Sequence, residues 1–292
     1  MGQVRSQSKS AVRWVIRRSA GFVGQVLPLA ARQDLVAFVG RRKLPGGLEF
    51  AMGMLDDVRR RDPVGLHRYL WSNHLAYAES YEVHRRFGAA SINPSRHVLF
   101  SKITAHLRSR GLDPGKDIHS IFEVGCSAGY LLRHLEEAVF PSATVLHGLD
   151  IDAYAVKSGM EYLSRLRSGV KLFAADMHAT ERIMGSHSYD LVLCCGVLMY
   201  VDESTAERVV RVMFSRAKRL VGLICLAPAG DSPAQSESRR SDGAFIHNMD
   251  VMIRKAGGNL VSSIFIGTDV SGSSPCHVIL AEPPNGWPPP AL

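Results

Sequence analysis

Between residues 119 and 282 the chain alternates short apolar runs with longer stretches whose apolar positions recur at helical spacing. The runs SIFEV (120–124), TVLHGLD (144–150), VKLFAA (170–175), YDLVLCC (189–195) and RLVGLICLA (219–227) predict strands. GYLLRHLEEAVF, DAYAVKSGMEYLSRL and STAERVVRVMFSRA predict the helices between them. A helix around 244–256 and two strands, LVSSIFIG and CHVILAE, close the region. Strands without polar alternation predict a sheet buried on both faces, and the strand–helix rhythm makes that sheet parallel.

Residues 1–115 carry a different pattern, helical throughout. GLEFAMGMLDDVRRR (47–61) spaces Leu48, Met52 and Leu55 on one helical face. Asp62-Pro63 restarts the chain with a proline suited to a first turn, predicting one long helix from Pro63 to about Arg86. NPSRHVLFSKITAHLRSRG (93–111) predicts another, stopped by Gly111. The expected organisation is a helical N-terminal region and cap over 1–115, an α/β domain over 116–282, and an extended Pro-rich tail over 283–292.

With 292 residues, 46% of them hydrophobic, the chain can bury a sizeable core. No apolar run approaches the ~20 residues of a membrane-spanning helix. Five cysteines include no CxxC pair, so neither a disulfide framework nor a metal site is expected, and a reducing cytoplasm is the simpler setting. The net charge is +8, and its excess lies at the start: residues 1–33 hold Arg5, Lys9, Arg13, Arg17, Arg18 and Arg32 with no acid before Asp34. Over residues 1–40 three readings compete: a basic amphipathic helix in peripheral contact with a membrane, a transit peptide, or an ordinary basic terminal helix. The opening MGQVRS also fits the short acylation pattern M-G-x-x-x-S/T.

The stretch IFEVGCSAGYLLRHLEE (121–137) carries the chemistry. Gly125 and Gly129 flank Cys126, Ser127 and Ala128 between a strand and a helix, where an open α/β sheet brings backbone closest to a ligand. A pyrophosphate fingerprint would read G-x-G-x-x-G; here the pattern is E-x-G-x-x-x-G. The carboxylate of Glu123 repels a pyrophosphate but suits an ammonium, so a nucleoside carrying an amino acid fits better.

On these residues, 120–282 resembles the catalytic domain of class I S-adenosylmethionine (SAM)-dependent methyltransferases. FEVGCSAG resembles the family's first motif, D/E-x-G-x-G-x-G, with Ser127 replacing the middle glycine, a departure expected to alter local packing slightly. The resemblance implies a Rossmann-like seven-stranded sheet, mostly parallel with an antiparallel C-terminal strand, and helices on both faces. It also implies SAM as cofactor, held by Glu123, Gly125, Cys126, Ser127 and Gly129. HGLDID places Asp150 and Ile151 where the family's acid receives both ribose hydroxyls. FAADMH places Asp176 to bond the adenine amine and Met177 to pack its ring, while Cys195 and Gly196 border the methionine portion. Read alone, Asp150 would be the N-cap of the next helix, Met177 a core filler, and Cys126 only a small side chain.

For the acceptor, FIHNMD (245–250) offers His247 as a general base, with Asn248 or Asp250 orienting it; the competing reading packs His247 locally. His67, Trp71, His74, Tyr81 and His84 fall on one face of the predicted 63–86 helix, lining an acceptor site or forming a packing seam. Tyr200 is a further lining candidate. The expected activity is methyl transfer from SAM to a hydroxyl, or an amine, of a small molecule or glycan. The alternative is a non-catalytic SAM-binding or interaction protein. No nucleic-acid partner is expected, because the excess positive charge lies mainly in the first 33 residues and CCGVLMY lacks the N/D-P-P-Y/F motif of many amino-directed nucleic-acid enzymes.

Overall fold

A computed structural model describes residues 2–42, 44–76, 82–88, 92–228, 238–240, 243–267 and 274–284, with side chains from Val12 onward and none at 238–239. Tyr81, most of the polar stretch 228–243 and most of the Pro-rich tail lie outside these residues. The chain forms two compact units: Met1–Glu82 with Ser241–Ala244, and Val83–Arg240 with Phe245–Leu292.

The first unit holds α1 (Gly2–Val26), α2 (Leu29–Arg41), α3 (Gly47–Met54), α4 (Asp56–Arg61) and α5 (Pro63–Ser72). Its core is Val36, Ala51, Met54, Leu55, Leu66, Leu70 and Leu75. The α1 and α3 backbones approach through glycine: a Cβ on Gly53 would stand 2.2 Å from the Arg17 carbonyl oxygen. Arg32 is buried with its guanidinium on the Met54 carbonyl (3.1 Å) and on Asp57.

Two expected helices are shorter than their apolar patterns. The 47–61 helix breaks at Leu55, whose φ of −112° and ψ of 25° are not helical. The 63–86 helix stops at Ser72. There His74 turns left-handed (φ 58°), and the N–H groups of Leu75 and His74 donate to the Leu70 (2.8 Å) and Trp71 (3.1 Å) carbonyls. This closing pattern normally uses glycine at the left-handed position. A histidine there gave no stop signal.

The second unit opens with α6 (Val83–Arg86), α7 (Pro94–Ser109) and α8 (Pro114–Asp117), then β1 (Ser120–Val124) and α9 (Tyr130–His134), which widens into a π turn over Leu135–Val139. There follow β2 (Val145–Asp150), α10 (Ala153–Arg165), β3 (Lys171–Ala174), α11 (Thr180–Met184) and β4 (Tyr189–Cys195). Next come α12 (Glu203–Arg216), β5 (Ala217–Leu226), β6 (Ser238–Arg239) and β7 (Phe245–Ile246). The chain closes with α13 (Met249–Lys255), β8 (Asn259–Ile266) and β9 (Cys276–Glu282). Where one helix was expected over 244–256, β7 pairs antiparallel with β6 and the helix begins only after Asn248.

Seven strands form one sheet in the order β3-β2-β1-β4-β5-β9-β8, with β9 antiparallel to both its neighbours. Alternate residues divide between two cores, as the period of a strand requires. Ile121, Leu191, Leu193, Leu220 and Leu280 pack under α7, α9 and α10. Phe122, Val192, Cys194, Val221 and Ile279 pack under α11, α12 and α13. Helices on both faces thus explain the strands' uniform apolarity.

The helix α7 buries Leu99, Phe100, Ile103 and Leu107 in the first of these cores. Residues 83–88 and 92–115 therefore pack with the sheet, whereas the sequence pattern grouped them with the N-terminal helices. All five cysteines are buried and unpaired. Among the described residues no helix is long and apolar enough to cross a membrane.

Candidate active site

The strand order reverses between β1 and β4, and such sheets take ligands in the crevice beyond the carboxyl ends of those strands. The turn after β1 is sewn to the end of β2. Gly125 and Cys126 donate to the Leu149 carbonyl (2.8 and 3.0 Å), and Ser127 N–H donates to Asp150 Oδ2 (2.7 Å). The other oxygen, Oδ1, accepts from Asp152 N–H (2.9 Å). Each carboxylate oxygen keeps a second lone pair, which is what two ribose hydroxyls would require. Asp152, fully buried, caps α10 by accepting from Ala155 N–H (2.9 Å), so Asp150 is not the cap. Burial raises the Asp150 pKa above the ordinary carboxylate value, opposed by its backbone donors.

Gly125 is left-handed (φ 78°), and a Cβ there would stand 2.2 Å from Val197 Cγ2, in the loop after β4. Gly129 packs against Leu172, which a Cβ would approach to 2.9 Å. Ser127 also sits in the left-handed region, at φ 50°. That is why the middle position of the motif favours glycine, and the serine costs about 1 kcal/mol of backbone strain. Cys126 is buried and its thiol is pushed well above its ordinary pKa by burial, which leaves it a small filler.

Glu123 is 3% exposed, and its Oε2 has no hydrogen-bond partner among the described residues. Burial pushes this carboxyl up to about 8, against the opposing pull of Arg96. A buried acceptor left unmet costs free energy, so such an atom in a crevice points to a ligand donor. Arg96 comes from α7, its guanidinium 5.2 Å from the Tyr130 ring centroid, within electrostatic reach of Glu123 and Cys195. A carboxylate and a guanidinium within electrostatic reach of each other match the two charges of an amino-acid moiety. Sequence reasoning missed Arg96, yet a signal existed: it occupies the first turn of α7, where the helix dipole disfavours a cation.

The remaining expected positions fall into three groups. Cys195 ends β4, buried, and the next residue, Gly196, is left-handed (φ 77°) with nothing within 4 Å of where a Cβ would be. Ile151 follows β2, half-buried; Asp176 Oδ1 accepts from His178 N–H (2.9 Å), and Met177 packs on the core beneath α12. These lie at the ends of β2, β3 and β4, and Ala175 N–H ties the end of β3 to the Asp150 carbonyl (2.8 Å). Tyr200 closes the short 3-10 turn Leu198–Tyr200 after β4.

The acceptor candidates fare differently. His247 is 5% exposed, stacked on Phe245, and its Nε2–H donates to the Leu198 carbonyl (3.0 Å). The ring thereby braces the turn after β4, which favours the local-packing reading over the general base. Asn248 spends its Oδ1 as the cap of α13, accepting from Val251 N–H (3.2 Å). The stripe from His67 to His84 is not one face. His67 and Trp71 lie on α5, His74 lies beyond its end, and His84 belongs to α6 of the other unit.

Residues 122–220 match a family described as a methyltransferase domain. Among solved structures, magnesium protoporphyrin IX methyltransferase from Synechocystis PCC 6803 with bound SAM is 18% identical, with 76% of this chain and 97% of that chain covered and a TM-score of 0.50. The same enzyme with bound SAH is 17% identical, with 76% and 100% covered and a TM-score of 0.52. No curated protein matches the chain. At this identity the structural likeness establishes the fold. The family match adds that residues 122–220 resemble a methyltransferase domain within that Rossmann-like fold.

Proposed function

We propose that residues 120–282 bind SAM across the ends of β1 to β4 and pass its methyl group to a hydroxyl, or an amine, of a small molecule or glycan. The observation that carries this reading is the buried, unmet Oε2 of Glu123 beside Arg96. When bound, the cofactor supplies a methyl group already activated by its sulfonium. The chain's own residues have the tasks of holding and shielding. Glu123 accepts from the ligand ammonium and Arg96 neutralises its carboxylate. Asp150 receives the ribose hydroxyls, and Asp176 and Met177 hold the adenine. Gly125, Ser127, Gly129 and Gly196 keep the backbone bare, and the apolar walls around Cys195 exclude water. Rates then rest on positioning. In the same reading residues 1–40 make peripheral contact with a membrane.

Calorimetry with SAM tests the cofactor site. Wild-type protein should bind, and Asp150→Ala should lose at least about a hundredfold in affinity, with two backbone donors and a diol left unmet. Absence of wild-type binding would sink the proposal. The bracing role of His247 lends weight to a second reading, a SAM-binding protein that transfers nothing. Labelled-methyl SAM incubated with fractionated metabolites and glycans separates the two, because only an enzyme labels an acceptor.

A further inference from the structure

In the first unit, α1 packs with small residues inward and leaves most of its large apolar ones outside, Ile16 against Gly46 excepted. Ala20 and Gly24 are buried toward α3, where a Cβ on Gly24 would stand 2.7 Å from the Met54 carbonyl oxygen. Val12, Val15, Phe22, Val23 and Val26 are exposed, Phe22 and Val26 each at 74%. At 3.6 residues per turn these five fall within an arc of about 100°, on the side away from Ala20 and Gly24. Trp14, 58% exposed, lies about 80° around the helix from Phe22, with the Arg18 guanidinium 4.9 Å from its ring centroid. Large apolar side chains gathered on one solvent-facing stripe mark a surface that meets a partner.

The charge beside the stripe identifies that partner. A groove of about 740 Å³ runs along α1, lined by Trp14 and Phe22 and by five arginines, 17, 18, 32, 60 and 61, against two acids, Asp56 and Asp57. Asp57 is taken up by Arg32, and Asp56 by Arg59, Arg60 and Arg17. Arg18 and Arg61 have no carboxylate partner among the described residues. Residues 1–33 contain no acid at all. A protein partner would usually answer with specific acids and shaped pockets. An apolar stripe flanked by a tryptophan and uncompensated arginines instead suits an interface whose interior is hydrocarbon and whose rim is phosphate.

We propose that α1 docks the protein on a bilayer containing anionic lipids, with Val12, Val15, Phe22, Val23 and Val26 among the acyl chains and Arg18 and Arg61 at the headgroup phosphates. This narrows the peripheral contact proposed above to one face and one lipid chemistry, and is independent of methyl transfer. Co-sedimentation of the full chain with phosphatidylcholine vesicles, with and without phosphatidylserine, tests it. Binding should require phosphatidylserine and weaken with salt. Phe22→Ser with Val26→Ser should bind at least about tenfold more weakly. Arg18→Ser and Arg61→Ser should each lose about fivefold. These side chains are exposed, so the variants should keep wild-type circular dichroism and SAM affinity, and Trp14→Phe should remove the vesicle-induced blue shift. Undiminished binding by the Phe22/Val26 variant overturns this face while leaving membrane contact standing. No wild-type binding to any vesicle overturns both. A lipid-free dimer that Phe22→Ser dissociates shows that the stripe serves self-association, and also overturns the proposal. SAM affinity, read separately, keeps the methyltransferase reading distinct from all three.

Discussion

Helices α1 and α12 both carry apolar residues at helical spacing, and the fold uses them in opposite ways. Val209, Val210, Met213 and Phe214 of α12 are buried in the core beneath the sheet, while Arg208 and Arg211 face water. In α1 the buried positions are Ala20 and Gly24, and Phe22 faces out. Apolar periodicity therefore finds a helix and its stripe, but not what the stripe touches. The small residues decide that. Backbones close enough to meet through Gly24 and Gly53 leave no room for large side chains between them, so the large ones must turn away.

The largest effect that separates the two helices is a matched truncation. Phe214→Ala should cost about 3–5 kcal/mol in urea unfolding, whereas Phe22→Ala should stay within about 0.5 kcal/mol. Equal losses would mean that α1 also packs its large residues, and would end the contrast.

The second effect compares an apolar group left for a partner with a polar one left for a ligand. Glu123 is held up at about 8 against an ordinary 4.5. Because the folded state keeps this proton while the unfolded chain releases it, stability should fall as pH rises from 4.5 toward about 8. An incoming ammonium favours the ionised carboxylate. SAM affinity should therefore climb by up to about tenfold per pH unit below 8, and decline above it as the ligand's α-amine loses its proton. Calorimetry in buffers of different ionisation enthalpy should show proton release on binding near pH 7. Glu123→Gln should flatten the rise and abolish that release.

A third test returns to the glycine contact. Gly24→Leu should destabilise the first unit by about 1–3 kcal/mol, because the obstacle is the Met54 backbone and not a side chain that can swing aside. In the second unit the reverse substitution should help. Ser127→Gly relieves a left-handed serine and should raise stability by up to about 1 kcal/mol, read as a modest increase in Tm.

The smallest expected change is at His247. Glutamine can donate to the Leu198 carbonyl as the imidazole does, so His247→Gln should keep methyl transfer within about threefold. A loss of about a hundredfold or more would restore the histidine as general base.

The strand–helix alternation from 120 to 282, the first-motif turn and the acids at 123, 150 and 176 were all legible along the chain, because each is a local pattern: a period, a bare turn, a carboxylate at a strand's end. Their order along the chain also follows the order of the neighbouring strands β1, β2 and β3 that carry them. Only the tertiary structure decided that His74 ends a helix in the conformation usually left to glycine, since nothing in a histidine's own preferences announces it. It alone brought Arg96 from α7 to the side of Glu123, and bound His247 to a backbone carbonyl 49 residues away in sequence. Those are contacts between distant segments, and they depend on which faces the packing leaves buried. The same holds for α1: composition marked it as basic and amphipathic, but the close approach of two glycines determined that most of its large apolar side chains point outward.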